Sequence, residues 1–420
     1  MLLIALGLFG LVSLAIVGGG AGQVAILLPW LVLALAVSLD FAVSFKGRPR
    51  VEADLPGEVF IGEAAALRLR VAPAMPGLRG RIDWPEGLRG PADFAVPAPD
   101  AEVRAEAVRR GVWTIDRVWL SAPSRLGLLE FVPRAAVGAE IRVVPNIRLV
   151  QSGTITTQVN SALFGIKENR AIGEGSEFHQ FREFVPGMDI KTIDWKRSAR
   201  YRSLIAKELR AERNHHVIVA IDNGYLMREE IGGLPKIDHA TTAALATAWA
   251  AALGGDLVGF FAYDARPRLF MKPEPGRRAF ARIRSRTADL AYVTQETNHT
   301  LALTELNART PKRSLVIIFS DFIDSTTAEL LVENIAVLAR RHVIIFVAMR
   351  DPDMEETVQA APDDLDGVAA IVAAGQAIVE RQIVLERLAR LGVSVIDAKP
   401  AGVSAALISK YIEIKAREMI

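Results

Sequence analysis

The 420-residue chain has no cysteine, which excludes disulfide bonds, zinc–thiolate sites, iron–sulfur clusters and cysteine nucleophiles. It also lacks an excess of one charge, because 50 basic residues face 48 acidic ones. A broad basic surface for nucleic acid is therefore not expected. Neither a His-Glu-x-x-His nor a Gly-x-Ser-x-Gly motif occurs, so no catalytic set is recognisable. Hydrophobic residues make up 51% of the chain. The chain is also long enough for two or three domains.

The N-terminus is almost free of charge, since Asp40 is the only charged side chain between Met1 and Phe45. Two apolar runs, Met1–Val17 and Val24–Phe45, are separated by a short glycine-rich break. At about 1.5 Å per residue, each run can cross about 30 Å of hydrocarbon. The alternatives are a signal peptide and a buried core hairpin. A signal peptide requires a basic N-terminal region, but no Lys or Arg precedes Lys46. The sequence predicts a transmembrane helical hairpin over residues 1–45.

The charges that follow the second run set the expected orientation. Lys46, Arg48 and Arg50 come directly after it, whereas the connecting loop carries no positive charge. The positive-inside rule then places the loop outside and the rest of the chain in the cytoplasm. Asp40 lies near the inner end, where it can reach the interface, and needs no functional role.

Residues 51–150 show alternation of apolar and polar side chains in short stretches. Leu67, Leu69 and Val71 alternate with arginines, and proline or glycine interrupts the pattern about every ten residues. Such alternation is typical of a small antiparallel β-sandwich.

Residues 151–212 form a charged and aromatic junction between this segment and the C-terminal half. Arginine and aromatic side chains are common anchors at interfaces, so the junction can be a recognition surface. The favoured alternative is a structural belt that ties two domains together, with Trp195 packed beneath ion pairs. The residues expected to form those pairs are Arg182, Arg197 and Arg200 with Glu183, Asp189 and Asp194.

The C-terminal half, residues 213–420, alternates continuous apolar runs with helical stretches. Strands buried on both faces and separated by helices predict an α/β doubly wound parallel sheet. The predicted strands are Val217–Ile221, Leu257–Tyr263, Leu315–Phe319, Val343–Ala348 and Val393–Ile396. The predicted helices are Lys236–Leu253, Arg277–Ser285, Ala328–Arg341, Gln376–Leu391 and Val403–Arg417.

Carboxylates follow two of these strands, Asp222 after the first and Asp321 with Asp324 after the third. Ligands of such sheets collect at the carboxyl ends of the strands, so this is the expected position of a hard cation. Magnesium also needs further oxygen ligands, and Thr297 and Thr300 lie in a loop that could approach. The alternative, that the aspartates cap loops and helix N-termini, is favoured.

The order of these features resembles the domain-of-unknown-function 58 family of bacterial membrane proteins. The most specific match is a signature block, residues 182–200, which reads Arg-Glu-Phe-Val-Pro-Gly-Met-Asp and then Ile-Asp-Trp-Lys-Arg-Ser-Ala-Arg. In the family this block looks like R-E-Y-x-P-G-D followed by I-D-W-x-x-S-A-R. The matching positions are Arg182, Glu183, Pro186, Gly187, Asp189, Asp194, Trp195, Ser198 and Arg200.

The resemblance implies a von Willebrand factor A-like fold for the C-terminal half, and with it a metal-ion-dependent adhesion site. The family pattern Asp-x-Ser-x-Ser reads here Asp222, Gly224 and Leu226, so both hydroxyls are missing. Asp321 matches the later aspartate of that site and Thr297 is a looser match for its threonine. We therefore expect a vestigial metal site, with no obligatory cofactor and at most weak Mg²⁺ binding.

The family also implies a partner, because such proteins are associated with MoxR-type AAA+ ATPases that look like chaperones for envelope complexes. We expect a non-enzymatic scaffold or adaptor at the bacterial inner membrane, with its soluble domains in the cytoplasm. Two alternatives stay open. One is a hydrolase that uses Asp222, Asp321 and Asp324 to hold a water-activating ion, and the other is a purely structural envelope protein.

Overall fold

The computed structural model describes residues 7, 10–12, 14, 23–44, 50–72, 77–97, 100–157, 159, 161, 177–210, 215–362, 364–417 and 419. The chain divides into two compact units, residues 1–144 and residues 145–420. The predicted junction, residues 151–212, falls in the second unit.

The first unit begins with the second predicted span, which forms helix α1, Gln23–Ser44. Most of the first span, Met1–Val17, lies outside the described residues, so the hairpin stays a prediction. Near the end of α1, Asp40 is fully buried and accepts hydrogen bonds from the backbone N–H groups of Leu126 (3.1 Å) and Leu128 (3.2 Å). The side chains of Ser44 and Ser124 donate to the same carboxylate. Asp40 therefore has a structural role, since it joins the helix to a turn of the β domain.

The predicted β domain consists of ten strands in the range 50–144. They are β1 Arg50–Asp54, β2 Glu58–Phe60, β3 Ala64–Ala72, β4 Arg79–Ile82, β5 Leu88–Arg89, β6 Asp93–Ala95, β7 Asp100–Ala107, β8 Gly111–Pro123, β9 Glu130–Phe131 and β10 Arg134–Val144. One sheet has the order β1-β3-β7-β5, and the other has the order β2-β10-β8-β4-β6 with β9 beside β8. All pairs are antiparallel except β2 with β10.

Alternation decides which face of each strand is buried. Along β3 and β7 every second residue is buried, including Leu67, Leu69 and Val103, while the arginines and glutamates between them face solvent. In the second sheet, Val118 and Leu120 on β8 are buried in the same way. The predicted antiparallel sheets are therefore present, apart from the parallel pair of β2 and β10, and their packing as a β-sandwich stays a prediction.

The second unit starts with a short helix α2, Arg148–Gln151, followed by an antiparallel pair, β11 Glu177–Glu183 and β12 Ile205–Arg210. Between these two strands lie a 3₁₀ turn, Ile190–Thr192, and helix α3, Trp195–Tyr201. The signature block thus forms the connection of a small hairpin.

The main sheet of this unit has six strands in the order β17-β16-β13-β18-β19-β20. The strands are β13 His216–Asp222, β16 Leu257–Tyr263, β17 Pro267–Pro275, β18 Ser314–Phe319, β19 Val343–Met349 and β20 Ser394–Ala398, and the short pair β14 Glu230–Ile231 and β15 Leu234–Pro235 lies apart from it. The helices are α4 Lys236–Leu253, α5 Gly276–Ala288, α6 His299–Arg309, α7 Glu329–Ala339, α8 Pro352–Gln359, α9 Leu365–Arg390 and α10 Pro400–Ala416.

The prediction of an α/β fold with a mostly parallel sheet is confirmed, with three corrections. The edge strand β17 is antiparallel to β16, so the sheet is mixed. Helices α6 and α8 were not predicted, and Thr300, expected in a loop, lies in the first turn of α6. Helix α9 begins at Leu365, earlier than predicted, because Asp364 caps its N-terminus by accepting a hydrogen bond from the N–H of Gly367 (2.7 Å) and small apolar residues continue the helix from there. The central strands are almost fully buried on both faces, which is why their sequences are continuous apolar runs.

By length and composition, one helix among the described residues can cross a membrane, and it is α9. Its second half packs on the α/β core through Val384, Leu385 and Leu388, all of them buried. Its first half exposes Leu365, which is 86% accessible.

Candidate functional site

The signature block owes its shape to two aspartates that cap helical turns. Asp189 accepts a hydrogen bond from the N–H of Lys191 (3.0 Å) at the start of the 3₁₀ turn. Asp194 is the N-cap of α3 and accepts from the N–H of Arg197 (3.0 Å), while it also pairs with Lys207 on β12 (3.2 Å). The N–H of Arg197, together with Lys207, lowers the pKa of Asp194. The Ile-Asp-Trp sequence therefore starts helix α3, because the side chain of Asp194 caps its N-terminus.

Ser198 fixes this helix to the adjacent strand. It is buried, donates a hydrogen bond to the carbonyl of Asp194 (2.8 Å) and accepts one from the N–H of Ile205 (2.9 Å). Gly187 occupies the turn after Pro186 with φ of +109°, a conformation that L side chains rarely adopt. These positions of the block have structural roles.

The expected belt is wrong in its central feature. Trp195 is 65% exposed and does not pack beneath ion pairs. Asp194 pairs with Lys207 and not with an arginine of the block, Arg197 stacks over the ring of Phe181 at 3.7 Å, and Arg182 contacts the sulfur of Met188 at 3.4 Å.

The block and the residues just after it instead expose several apolar side chains to solvent. Those between residues 182 and 204 are Val185, Ile190, Trp195, Tyr201 and Leu204. Exposed charged residues, among them Lys191, Lys196 and Arg200, lie between them in the sequence. Aromatic residues with arginines at their margin are the common composition of protein interfaces. We call this set of five the signature surface.

The second candidate region is the carboxyl edge of the main sheet, where Asp222 ends β13. Its carboxylate accepts hydrogen bonds from Thr297 Oγ1 (2.6 Å), Ser320 Oγ (2.6 Å) and the N–H of Gly224 (2.8 Å). His299 Nε2 lies 3.9 Å from the carboxylate. Burial raises the pKa of Asp222 and lowers that of His299, so both shifts favour the neutral forms.

Asp321, two residues past the end of β18, is held by two cationic side chains. Lys236 Nζ donates to Oδ2 (2.5 Å) and Arg381 Nη1 donates to Oδ1 (3.0 Å). Arg381 also reaches Asp397 (3.1 Å), and Lys236 also bonds Glu229. Asp321 is 6% exposed at its side chain, so these pairs are protected from solvent.

The residues at this edge do not fit a divalent cation. Gly224 has no hydroxyl, and a Cβ built on it would lie 1.9 Å from Thr297 Oγ1, so a serine has no room there. Asp321 already carries two protein cations, and burial works against ionisation of Asp222, although a metal ligand must be ionised. Among the described residues, no three His, Asp or Glu side chains are grouped to hold a metal ion.

From the sequence we expected five oxygen groups near this edge: Asp222, Asp321, Asp324, Thr297 and Thr300. Thr297 does reach Asp222, whereas Asp324 caps a turn by accepting from the N–H of Thr327 (2.7 Å) and Thr300 accepts from Asn334 (3.0 Å). The residues that sequence reasoning missed are Glu229, Lys236, His299, Ser320 and Arg381. Lys236 gave one available signal, since it and Asp238 are the charged residues at the start of an otherwise largely apolar helix.

Two cavities open beside Asp321. One, of about 710 Å³, is lined by Lys236, Arg350 and Arg381 among others, and the other, of about 750 Å³, is lined by Asp222 and His299 among others. Ligands of open α/β sheets bind at this edge, so the cavities lie where the fold favours recognition.

Comparison with known proteins supports the predicted family. Residues 180–367, a little under half of the chain, match the family described as "Protein of unknown function DUF58", so the predicted resemblance is confirmed for that segment. No curated protein matches the chain.

Two solved structures are similar at low scores. The conserved hypothetical protein BatB from Bacteroides thetaiotaomicron is 14% identical, with a TM-score of 0.30 over 48% of this chain and 99% of that one. The CARDB domain of a Pyrococcus furiosus protein, in complex with di-metal ions, is 14% identical, with a TM-score of 0.15 over 23% of this chain and 87% of that one. The fold described above therefore rests on strand order and not on these likenesses.

Proposed function

We propose, from the premise that residues 180–367 belong to the DUF58 family, that this chain is a membrane-anchored, non-enzymatic scaffold for a protein partner. In this proposal the C-terminal half is a von Willebrand factor A-like recognition domain with its binding edge at Asp222 and Asp321. The partner implied by the family resemblance is a MoxR-type AAA+ ATPase. The N-terminal apolar hairpin anchors the chain in the bacterial inner membrane, with its soluble domains in the cytoplasm.

The observation that carries the proposal is the exposure of the signature surface. A tryptophan that is 65% exposed, with Ile190 at 68% and Tyr201 at 64%, is unusual for a surface that contacts only water. Because the neighbouring aspartates and Ser198 already account for the local fold, stability alone does not explain these apolar side chains. A partner that buries them does.

The site chemistry gives no support to the hydrolase alternative. A metal-dependent hydrolase needs an ion with an open position for water, whereas Asp321 is already paired with Lys236 and Arg381. The purely structural alternative requires no AAA+ ATPase as a partner, whereas the scaffold proposal does. The experiment below distinguishes these two functions.

The test is a crosslinking pull-down from native membranes, with the full-length chain as bait and bound proteins identified by mass spectrometry. Trp195→Ala and Tyr201→Ala should each reduce the recovery of an AAA+ ATPase at least about tenfold if these side chains are interface anchors. Val337→Ala is the matched control, since Val337 is 51% exposed but lies on α7, outside the signature surface. Failure to recover any AAA+ ATPase, with or without nucleotide, would count against the scaffold proposal.

A further inference from the structure

The carboxyl edge of the main sheet holds a cation that belongs to the protein itself. Lys236 is the first residue of α4, and its side chain is only 9% exposed. Its ammonium donates to Asp321 Oδ2 at 2.5 Å and to Glu229 Oε2. Glu229 follows the 3₁₀ turn after β13 and Asp321 follows β18, so one positive charge joins two loops that leave neighbouring strands.

This arrangement resembles a metal site in which the lysine ammonium takes the position of the metal ion. Hard cations such as Mg²⁺, Mn²⁺ and Ca²⁺ join carboxylate oxygens from separate loops at distances of about 2.0–2.6 Å. Here the two carboxylate oxygens surround Nζ. Arg381 Nη1 and the N–H of Phe322, each at 3.0 Å, take up the remaining oxygen of Asp321.

We propose that the Lys236 ammonium is the permanent cation of this sheet edge, in place of the divalent ion that the family resemblance implies. The edge is then held in one state whatever the concentration of Mg²⁺ or Mn²⁺, and recognition at this edge is insensitive to chelators. The inference concerns the edge alone, so it stands even if the partner is not an ATPase.

The test measures the thermal unfolding midpoint, Tm, of the purified full-length chain with 1 mM EDTA and with 1 mM MnCl₂. The wild-type Tm should be the same in both. Lys236→Ser removes the ammonium and leaves Glu229 and Asp321 facing each other, so this variant should gain Mn²⁺ dependence, with a rise in Tm of about 2–4 °C. Calorimetric titration with MnCl₂ should detect one site in the variant and none in the wild type.

Lys415, another buried lysine among the described residues, offers a matched control. It is 7% exposed, pairs with Asp256 at 2.7 Å and also donates to the carbonyl of Gly254 and to Tyr411. Lys415→Ser also removes a buried ammonium from an aspartate, but at the opposite end of the sheet, and should show no response to Mn²⁺. If a serine variant does not fold, Lys236→Gln and Lys415→Gln make the same comparison.

Two results would overturn the inference. One is a wild-type chain whose Tm rises with Mn²⁺ and falls with EDTA, because an ion would then bind beside the lysine. The other is a Lys236 variant that responds to Mn²⁺ no more than its Lys415 counterpart. Neither result bears on the pull-down, which probes the signature surface.

Discussion

The two ends of the six-stranded sheet each contain a buried lysine–aspartate pair, and the two pairs have different surroundings. At the amino end of β16, Asp256 is fully buried and accepts hydrogen bonds from Tyr411 Oη (2.6 Å) and Lys415 Nζ (2.7 Å), while Lys415 also donates to the carbonyl of Gly254 (2.8 Å). The backbone N–H of His215 also donates to Asp256 (3.2 Å), so this network joins three segments of the chain. The pair joins helix α10 to the sheet.

The carboxyl end is built from more segments. Lys236 and Asp321 share their charges with Glu229, Arg381 and Asp397, and these five residues come from five different segments. In the described residues, both ends contain buried polar atoms without a hydrogen-bond partner: Asn223 Oδ1, Tyr263 Oη, His299 Nδ1 and Arg381 Nε near the carboxyl end, and Thr310 Oγ1 and His342 Nδ1 near the amino end. The two ends therefore differ in how many segments each charge network joins, and in the two cavities that open beside Asp321 at the carboxyl end.

The largest expected effect comes from breaking the amino-end pair. Asp256→Ala leaves Lys415 buried without a carboxylate and should lower the free energy of unfolding by about 3–5 kcal/mol. Asp321→Ala should cost less, because Lys236 keeps Glu229 and Arg381 keeps Asp397. Denaturant unfolding of both variants measures the difference. Equal losses would contradict the distinction between the two ends.

Acid should destabilise the chain through histidines at both ends of the sheet. Burial, helped by the charges of Arg341 and Arg313, lowers the pKa of His342 to about 4, and burial also lowers the pKa of His299. Between the unfolded value of about 6.5 and the folded value, the unfolded state binds more protons, so stability falls as pH falls through this window.

His342 should account for up to about 2–3 kcal/mol of that acid loss. His342→Gln should therefore flatten the dependence of the unfolding free energy on pH between about 6.5 and about 4. Chemical unfolding at several pH values measures the slope, and His239→Gln, on helix α4, is the comparison variant. An unchanged slope in His342→Gln would show that this histidine is not the source.

Restoring the first serine of the metal motif should not restore a metal site. Gly224→Ser brings a Cβ within 1.9 Å of Thr297 Oγ1, so Thr297 must shift and loses its hydrogen bond to Asp222. We expect a loss of about 1–2 kcal/mol and no stabilisation by Mg²⁺. The double variant Gly224→Ser/Thr297→Ala relieves the clash and should recover part of that loss. Stabilisation of the single variant by Mg²⁺ would contradict our account of this edge.

Local patterns predicted most of the fold because they depend on neighbours in the chain. Runs such as Val217–Ile221 identify buried strands, and the alternation around Leu67 and Leu69 identifies the β domain. The edge strand β17 was missed because its half-buried sequence carries neither pattern.

The site was less predictable because its contacts join residues far apart in the chain. Lys236 and Asp321 are separated by 85 positions and Arg381 and Asp321 by 60, so no local signal shows that they meet. The exposure of Trp195 was missed for a related reason. Composition around an aromatic residue is the same whether the ring packs inward or faces solvent, and only the fold decides.

The smallest expected effect on stability, and the one that separates belt from surface, is that of Trp195→Ala. A packed tryptophan at the centre of a belt would cost about 3–5 kcal/mol on truncation, whereas a side chain that is 65% exposed should cost less than about 1 kcal/mol. Ser198→Ala, three residues along the same helix, is the opposite control, because it removes a buried hydroxyl that joins α3 to β12. Unfolding curves for the two variants rank them directly. If Trp195→Ala proved the more destabilising, the ring would be part of a packed contact and would not belong to the signature surface. If Trp195→Ala leaves the Tm unchanged and abolishes partner recovery, binding explains the exposure of the ring.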